Sequence, residues 1–286
     1  MVNDRSCPCV VCGASPVGRD APIVATVQEH GWSVLRIYGT VEFAYTVGLW
    51  HTFRLPELVM FGLDGGYLQQ LLNSGVDHVR ENGWPESQVP FPGVLEGFET
   101  QLRPVDESWR DAFFGTAHRF YRGWPVPVWQ LIWPDAHGRW PWQEDATLTS
   151  RTRQPSAWLP VDEHPAGSWR LLGHFAGDFP LAAEPDSWAL TTRSILDGSR
   201  EATTVLLDDN TFDVLDDRGH DAGDLCNTYL GHLVLRLPSL RRLDDLPGNS
   251  VATTAAGGGW HRSAIPTQQR EASVAAWKRA ESYLPA

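Results

Sequence analysis

The chain has 286 residues, of which 42% are hydrophobic and 20% are charged, so it can form one large or two medium domains with ordinary cores. Its formal net charge of −12 disfavours a nucleic-acid partner, because an acidic surface repels a phosphate backbone. The sequence holds no apolar run of about 18 residues, so we expect no membrane span.

The composition also suggests a compartment. The four cysteines, three of which crowd within six residues, do not form the pattern of a disulfide framework. The N-terminus lacks the apolar stretch of a secretory signal peptide. We therefore expect a cytoplasmic protein, and the richness in Ala, Arg, Gly and Pro suggests a bacterial one.

The first 22 residues form a polar, cysteine-containing segment. Thiolates spaced this closely on a Cys-x-x-Cys-Gly knuckle can share one tetrahedral Zn²⁺, so zinc is a possible cofactor. The fourth ligand would come from Cys226, from His30 or from a second copy of the chain. The alternative is a mobile tail with reduced thiols. The proposed metal ligands are Cys7, Cys9 and Cys12.

Residues 23–155 are predicted to form a first α+β domain, with a mixed or antiparallel sheet and flanking helices. Alternating or continuous apolar runs predict strands, and apolar residues at helical spacing predict a helix over 67–82. Residues 84–98 are rich in Pro and Gly and are interpreted as a loop. The predicted strands are 32–38, 42–49, 57–63, 99–105 and 127–133.

The rest of the chain is predicted to form a second, smaller α+β unit. Residues 156–167 are interpreted as a linker and 168–250 as the second domain, with strands near 169–175 and 203–215. A helix is predicted over 225–237. The last part, 251–286, is interpreted as a glycine hinge followed by a C-terminal helix.

A tryptophan-rich motif spans 126–142 and suggests a binding cleft. Gln130 lies inside its apolar run, so the amide must be hydrogen-bonded or cost roughly 1–3 kcal/mol. We expect Gln130 to be buried, with Trp129 and Leu131 on the opposite side of the strand. If it faces a cleft, its partners should include residues 45–57. The expected ligand-binding residues are Tyr45, Thr46, Gln130, Trp133 and Trp140.

Four residues are candidate catalytic groups in the same cleft, as general base or polar anchors. The structural alternatives are a core Tyr45, a solvated His51, a Glu57 paired with an arginine and an Asp135 that forms a turn. No nucleophile elbow, Walker loop, dinucleotide fingerprint or zincin motif occurs, so the common enzyme classes lose support. The candidates are His51, Glu57, His118 and Asp135.

Several motifs in order carry a family resemblance. They are His30-Gly-Trp32, Phe43-Ala-Tyr-Thr-Val-Gly-Leu49, Pro56-Glu-Leu-Val-Met-Phe-Gly-Leu63, Gln130-Leu-Ile-Trp-Pro-Asp135 with Gly138 and Pro141-Trp142, and Gln154-Pro155. Over about residues 7–155 the chain resembles the bacterial family called domain of unknown function four-two-six-two. That resemblance implies no established activity.

A looser resemblance concerns the second unit, over about residues 168–247. Thr191–Gly198, Pro238–Leu240 and Asp244–Pro247 are similar to small bacterial domains, some of them immunity-like or regulatory.

Three functions remain open from the sequence. The first is a soluble binding or interaction module that holds a peptide or small ligand in the tryptophan-rich cleft. The second is an enzyme that uses the same cleft. The third is an immunity-like protein that binds its partner through an acidic face. We expect neither a nucleic-acid nor a membrane partner.

Overall fold

The computed structural model shows an α+β protein with two mixed sheets and flanking helices, which confirms the predicted fold class. The chain divides into two compact units, Met1–Glu163 and His164–Ala286. No helix among the described residues is both long and apolar enough to cross a membrane. The structure describes residues 7–13, 20–37, 42–209, 211–216, 223–255 and 259–282.

The first unit is built on a six-stranded sheet in the order β1-β2-β3-β6-β5-β4. Strands β3 and β6 run parallel, and the other neighbours are antiparallel. The strands are β1 (Ser33–Ile37), β2 (Phe43–Val47), β3 (Glu57–Phe61), β4 (Phe91–Leu95), β5 (Phe98–Pro104) and β6 (Val128–Ile132). The helices are α1 (Ala21–His30), α2 (Leu49–Phe53), α3 (Gly65–Asn82), α4 (Arg110–Phe113), α5 (Gly115–Phe120) and α6 (Leu148–Arg153).

Helix α3 covers one face of this sheet. Its apolar residues recur at helical spacing and bury a stripe against alternate residues of the central strands, including Leu58 and Leu131. Gly75 lies on that stripe, and a Cβ there would come within 3.3 Å of Leu131. The opposite face carries aromatic side chains, with ring centroids of Phe43 and Phe113 5.3 Å apart. Because both faces are covered, β2 and β3 are buried along their whole length.

The second unit has a seven-stranded sheet in the order β12-β11-β8-β9-β7-β10-β13. Pairs β7–β9 and β10–β13 are parallel. The strands are β7 (Trp188–Thr192), β8 (Thr204–Asp208), β9 (Thr211–Leu215), β10 (Leu225–Tyr229), β11 (Ser250–Thr254), β12 (Trp260–Ala264) and β13 (Glu281–Ser282). The helices are α7 (Ser168–Phe175), α8 (Arg193–Leu196), α9 (Leu230–Arg236) and α10 (Thr267–Trp277).

Three of the local predictions are wrong. The supposed loop 84–98 contains β4, which tolerates Pro and Gly because it is an edge strand of the sheet. Residues 169–175 belong to helix α7 rather than a strand, since a short apolar run fits either element. Residues 225–237 begin as strand β10 and become helical only at Leu230.

The supposed linker 156–167 is largely part of the first unit. The backbone N–H of Asp106 donates to the carbonyl of Ala157 at 2.8 Å, and the indole N–H of Trp109 donates to the carbonyl of Leu159 at 2.7 Å. The N–H of Val161 donates to Ser108 Oγ at 3.0 Å. The division between units falls at residues 163 and 164.

The C-terminal part, 251–286, is not a separate hinge and helix. Strands β11 and β12 pair with each other, and β11 also pairs with β8, so both belong to the second sheet. Helix α10 packs through Ala276 against Leu190 and Leu225. Of the proposed glycine hinge, Gly257 and Gly258 lie outside the described residues.

Candidate metal centre

Three cysteines and one histidine bring their ligand atoms together in the first unit. The three Sγ atoms and a ring nitrogen of His51 all lie within 4.8 Å of one another. The Nδ1 of His51 is 3.2 Å from the Sγ of Cys9 and 3.3 Å from the Sγ of Cys12. The cluster therefore joins the predicted ligands Cys7, Cys9 and Cys12 to a histidine that was predicted from the sequence as a catalytic candidate.

The cysteine segment is held in place by its own turn and by helix α5. The N–H of Gly13 donates to the carbonyl of Cys9 at 3.1 Å, which closes the knuckle. The N–H of Val10 donates to the carbonyl of Phe120 at 2.9 Å. Cys9 is completely buried, whereas Cys12 is exposed. The segment is thus packed against the first unit rather than extending from it as a tail.

Of the three expected sources of a fourth ligand, neither His30 nor Cys226 takes part in the cluster. His30 ends helix α1, where its Nε2 is 3.7 Å from a carboxylate oxygen of Glu29. Cys226 lies on β10 of the second unit with a buried thiol. His51 is 39 residues from Cys12 in the chain, so no local spacing in the sequence pointed to it.

The donor set fits a tetrahedral Zn²⁺ site. Zinc sits about 2.3 Å from thiolate sulfur and about 2.0–2.1 Å from imidazole nitrogen, so the ligand atoms of one ion lie roughly 3.5–4 Å apart. Burial, followed by the neighbouring thiol of Cys7, raises the pKa of Cys9 to about 12. Burial and then the charge of Arg54 lower the pKa of His51, which favours the neutral imidazole that a metal requires.

Helix α2, which carries His51, rests on a buried carboxylate. Glu57 is completely buried, and its oxygens accept hydrogen bonds from Thr46 Oγ1 at 2.6 Å and from the N–H groups of Gly48 and Trp50 at 3.0 and 3.1 Å. The phenol of Tyr121 donates to the same carboxylate. Burial raises the pKa of Glu57, and these four donors oppose that shift by favouring the ionised form.

This network lies in the interior of the first unit, whereas its residues Thr46 and Glu57 were expected to face a cleft. Thr46 and Glu57 do meet, as the sequence suggested, but both are fully buried and bonded to the protein itself. Tyr45 is a core residue whose ring packs edge-on against Phe114 at 5.4 Å. The alternative for Glu57 was an ion pair with an arginine, but its carboxylate accepts hydrogen bonds from hydroxyl and backbone N–H groups instead. His118 lies exposed on α5.

Gln130 is completely buried and hydrogen-bonded, as predicted. Its Nε2 donates to the carbonyl of Pro155 at 2.9 Å, and its Oε1 accepts from the N–H of Ala157 at 3.2 Å. Trp129 and Leu131 both pack with the cluster under helix α3, on the other side of the strand. The side chain of Gln130 therefore connects residues 155–157 to strand β6 by two hydrogen bonds.

Gln130 was expected to form hydrogen bonds with residues 45–57 if it faced a cleft, but its side chain bonds to other residues. Strands β3 and β6 are neighbours in parallel register, with Glu57 opposite Val128. The Gln130 amide nevertheless bonds to the 155–157 segment. The two motif blocks are adjacent in the sheet without sharing a site through this residue.

Asp135 forms a turn, and Trp133 is internal. The Oδ1 of Asp135 accepts from the N–H groups of His137 at 2.8 Å and Arg139 at 3.0 Å, and its Oδ2 accepts from Thr147 at 2.9 Å. Burial raises the pKa of Asp135, but these donors together hold it below its ordinary value. The indole N–H of Trp133 donates to the carbonyl of Phe61 at 2.8 Å.

Trp140 belongs to a tryptophan cluster at the surface, which we define as Trp140, Trp142 and Trp158. The rings of Trp140 and Trp142 stack at 5.5 Å between centroids, and Trp158 stands edge-on to Trp142 at 5.5 Å. Arg103 lies against this cluster, with its Cζ 3.9 Å from the Trp142 centroid and 4.4 Å from the Trp158 centroid. Arg103 was not predicted from the sequence, because β5 carries it to the motif from elsewhere in the chain.

Part of the first unit also matches a known protein family. Residues 26–147 match the family described as Domain of unknown function (DUF4262). The predicted resemblance is thereby confirmed over that stretch, which includes His51 and Glu57 and begins after Cys12. Comparison with curated proteins gave no match, and neither did comparison with solved structures.

Proposed function

We propose that the first unit is a zinc-stabilised binding module, in which Cys7, Cys9, Cys12 and His51 hold one Zn²⁺. The observation that carries this proposal is the convergence of four donor atoms within 4.8 Å of one another. Structural zinc sites use four protein ligands, whereas catalytic sites keep one position for water or substrate. Three cysteines and one histidine therefore support a structural ion.

The ion would link two parts of the chain that are distant in sequence. The three thiolates belong to the N-terminal segment, and His51 belongs to helix α2. Without an ion, burial keeps the thiol of Cys9 protonated, because its pKa is raised to about 12. A divalent cation reverses that preference by stabilising thiolates directly. Zinc binding would thus replace neutral thiols by metal-bound thiolates and cross-link the N-terminal segment to helix α2.

The proposal is tested by metal analysis of untagged protein, with matched cysteine variants. We expect about one equivalent of zinc in the wild type, and well under half in Cys9→Ser and in His51→Ala. The buried Cys226 provides the control, since Cys226→Ser should keep the wild-type content. Substitution by Co²⁺ should give the intense visible bands of a tetrahedral thiolate site. A wild type that neither contains zinc nor binds added Zn²⁺ or Co²⁺ would overturn the proposal.

A binding role, rather than catalysis, is supported by how the candidate residues are used. Glu57 is buried beneath α2, Asp135 is bonded within its turn, and His51 belongs to the cysteine cluster. In contrast, Trp142 presents 40% of its surface to solvent within a group of aromatic rings. Exposed tryptophans next to an arginine are typical of interaction surfaces.

A cytoplasmic location belongs to the same proposal. All four cysteines are free thiols in the structure. A reducing compartment keeps such thiols available to a metal. Thiol reactivity of the metal-free protein under reducing conditions, and its loss on adding Zn²⁺, would be the corresponding readout.

A further inference from the structure

The guanidinium of Arg103 is fixed in one orientation. Its Cζ lies over the rings of Trp142 and Trp158, at 3.9 and 4.4 Å from their centroids. Its Nε donates to Gln101 Oε1 at 2.8 Å. Gln101 is itself 4% exposed and held by a hydrogen bond from its Nε2 to the carbonyl of Gln88. Packing and hydrogen bonding therefore define the plane of the arginine fork before any ligand arrives.

Arg103 also has no acidic partner among the described residues. The only hydrogen bond of its side chain among these residues is the one to Gln101, so Nη1 and Nη2 remain available. Partial burial lowers the pKa of Arg103, and no carboxylate opposes that shift. Some of the other described arginines do have a carboxylate partner, among them Arg80, Arg119, Arg139, Arg200, Arg262 and Arg270.

We propose that Arg103 and the tryptophan cluster form a binding site for a peptide carboxylate flanked by an aromatic residue. A guanidinium binds a carboxylate through two parallel N–H···O bonds in its own plane. The side chain of Trp142 is 40% exposed beside that plane, so an aromatic residue next to the carboxylate would find apolar surface to contact. Such an open surface suits a peptide segment better than an enclosed small molecule.

The proposal rests on the binding role of the first unit and is independent of its zinc. The peptide site and the zinc site can fail separately, because probe titration tests the peptide site and metal analysis tests the zinc site. The contacts that define the Arg103 site involve neither the cysteine segment nor helix α2.

The test is a titration followed through the indole N–H signals of Trp142 and Trp158 in ¹H–¹⁵N NMR spectra of the full chain. The probe is N-acetyl-L-phenylalanine, with N-acetyl-L-phenylalaninamide as its partner without a carboxylate. We expect saturable shifts with the acid at millimolar concentration and at least about tenfold weaker binding of the amide, since a charge-assisted bidentate pair is lost. Inorganic phosphate is a third arm and should bind more weakly than the acid.

Variants assign the effect to the arginine. Arg103→Gln should weaken binding of the acid by about tenfold or more, and Arg103→Lys should weaken it as well, because lysine lacks the planar fork. The matched control is Arg80→Gln: Arg80 also lies over aromatic rings, at 4.6 Å from the Phe53 centroid, but is 3.7 Å from Asp77. The Arg80→Gln variant should bind N-acetyl-L-phenylalanine with the same affinity as the wild type.

Four results would overturn the proposal. They are no saturable shift with the acid, equal binding of acid and amide, phosphate binding as tight as the acid, and unchanged affinity in Arg103→Gln. The first three use the wild-type chain, so they decide the question even if the variant fails to fold.

Discussion

The buried carboxylate of Glu57 accepts a hydrogen bond at 3.1 Å from the backbone N–H of Trp50, the residue before the candidate ligand His51. The N–H of Gly48 donates to the same oxygen at 3.0 Å, so the beginning of helix α2 is bound to one side chain. Gly48 has φ +114°, and a Cβ there would come within 2.8 Å of Val27. Glu57 thus positions α2 and, through it, the imidazole.

The same carboxylate is connected to the cysteine segment. Tyr121 donates to Glu57, and the preceding residue, Phe120, accepts the N–H of Val10 through its carbonyl. Val10 stands between Cys9 and Cys12. Both halves of the candidate metal centre therefore depend on the position of Glu57. Groups that orient metal ligands in this way commonly change metal affinity by 10- to 100-fold when replaced.

We expect Glu57→Gln to lower zinc affinity by about 10- to 100-fold while leaving the stoichiometry at saturation unchanged. The amide replaces one acceptor oxygen by a donor, so at least one of the four buried donors loses its partner, at a cost of about 1–3 kcal/mol in unfolding free energy. Competition with a chromophoric chelator measures the affinity, and urea unfolding of the metal-free protein measures the stability.

Glu86→Gln is the control for this substitution, because Glu86 is an exposed acid of the same unit. It should change neither quantity beyond about 0.5 kcal/mol. If Glu57→Gln destabilises the protein but binds zinc as tightly as the wild type, Glu57 supports the fold without positioning the metal ligands.

Local patterns in the sequence predicted several elements of the first unit well. Strand β3 is an apolar run, and α3 places Leu68, Leu72 and Val76 on one face, so periodicity alone locates them. The pattern around Gln130 also predicted that its amide needs partners. The pattern could not predict that these partners are Pro155 and Ala157, which lie 25 and 27 residues further along the chain.

The metal centre and the arginine site were harder to predict, because each depends on residues brought together by the sheet. The cysteine knuckle is a local signal, but His51 joins it only because α2 follows β2 and rests on Glu57. Arg103 reaches the tryptophan cluster through the pairing of β5 with β6, in which it lies opposite Gln130. Such pairings have no signature in the spacing of single residues.

Replacing Gln130 by leucine should destabilise the first unit by about 1–3 kcal/mol, because the N–H of Ala157 and the carbonyl of Pro155 lose their partners in a dry interior. The 155–157 segment should loosen, so chymotrypsin should cut after Trp158 faster than in the wild type. Zinc content should stay the same. Thermal unfolding, peptide mapping of the digest and metal analysis give the three measurements.

Gln70→Leu supplies the comparison, since Gln70 is an exposed residue of helix α3. Its effect on stability should lie within about 0.5 kcal/mol, with an unchanged digest. A Gln130→Leu variant as stable and as resistant to chymotrypsin as the wild type would show that these two hydrogen bonds do not fasten the segment.

Asp213 gives the second unit a pH dependence of its own. The side chain is 1% exposed, and its Oδ1 accepts the indole N–H of Trp277 at 2.8 Å, while Oδ2 has no hydrogen-bond partner among the described residues. Burial raises the pKa of Asp213, and Asp208 raises it further, against opposing hydrogen bonds from Ser273 and Trp277. Compared with an ordinary aspartate, Asp213 in the folded protein therefore favours its protonated form.

The sign of the effect follows from linkage. A carboxyl whose folded pKa exceeds its ordinary value of 3.8 stabilises the fold fully below that pH, and the contribution is lost as the pH rises through the folded pKa. Asparagine stays neutral and can still accept from Trp277. Asp213→Asn should thus stabilise the second unit at pH 7, by on the order of 1 kcal/mol, and the gain should shrink towards pH 3.

Asp197→Asn is the control with the opposite expected sign, because the pKa of Asp197 is lowered rather than raised. Asp197 accepts from the N–H of Ser199 at 2.8 Å, and that backbone hydrogen bond holds its pKa below the ordinary value. Its contribution is present above pH 3.8 and lost as the pH falls through the folded pKa, so the variant should be less stable than the wild type at pH 7 and equal to it in strong acid. Urea unfolding of both variants between pH 3 and 8 compares the two slopes. If Asp213→Asn lowers stability at pH 7 as Asp197→Asn does, the folded protein prefers the ionised form of Asp213 and the assignment is wrong.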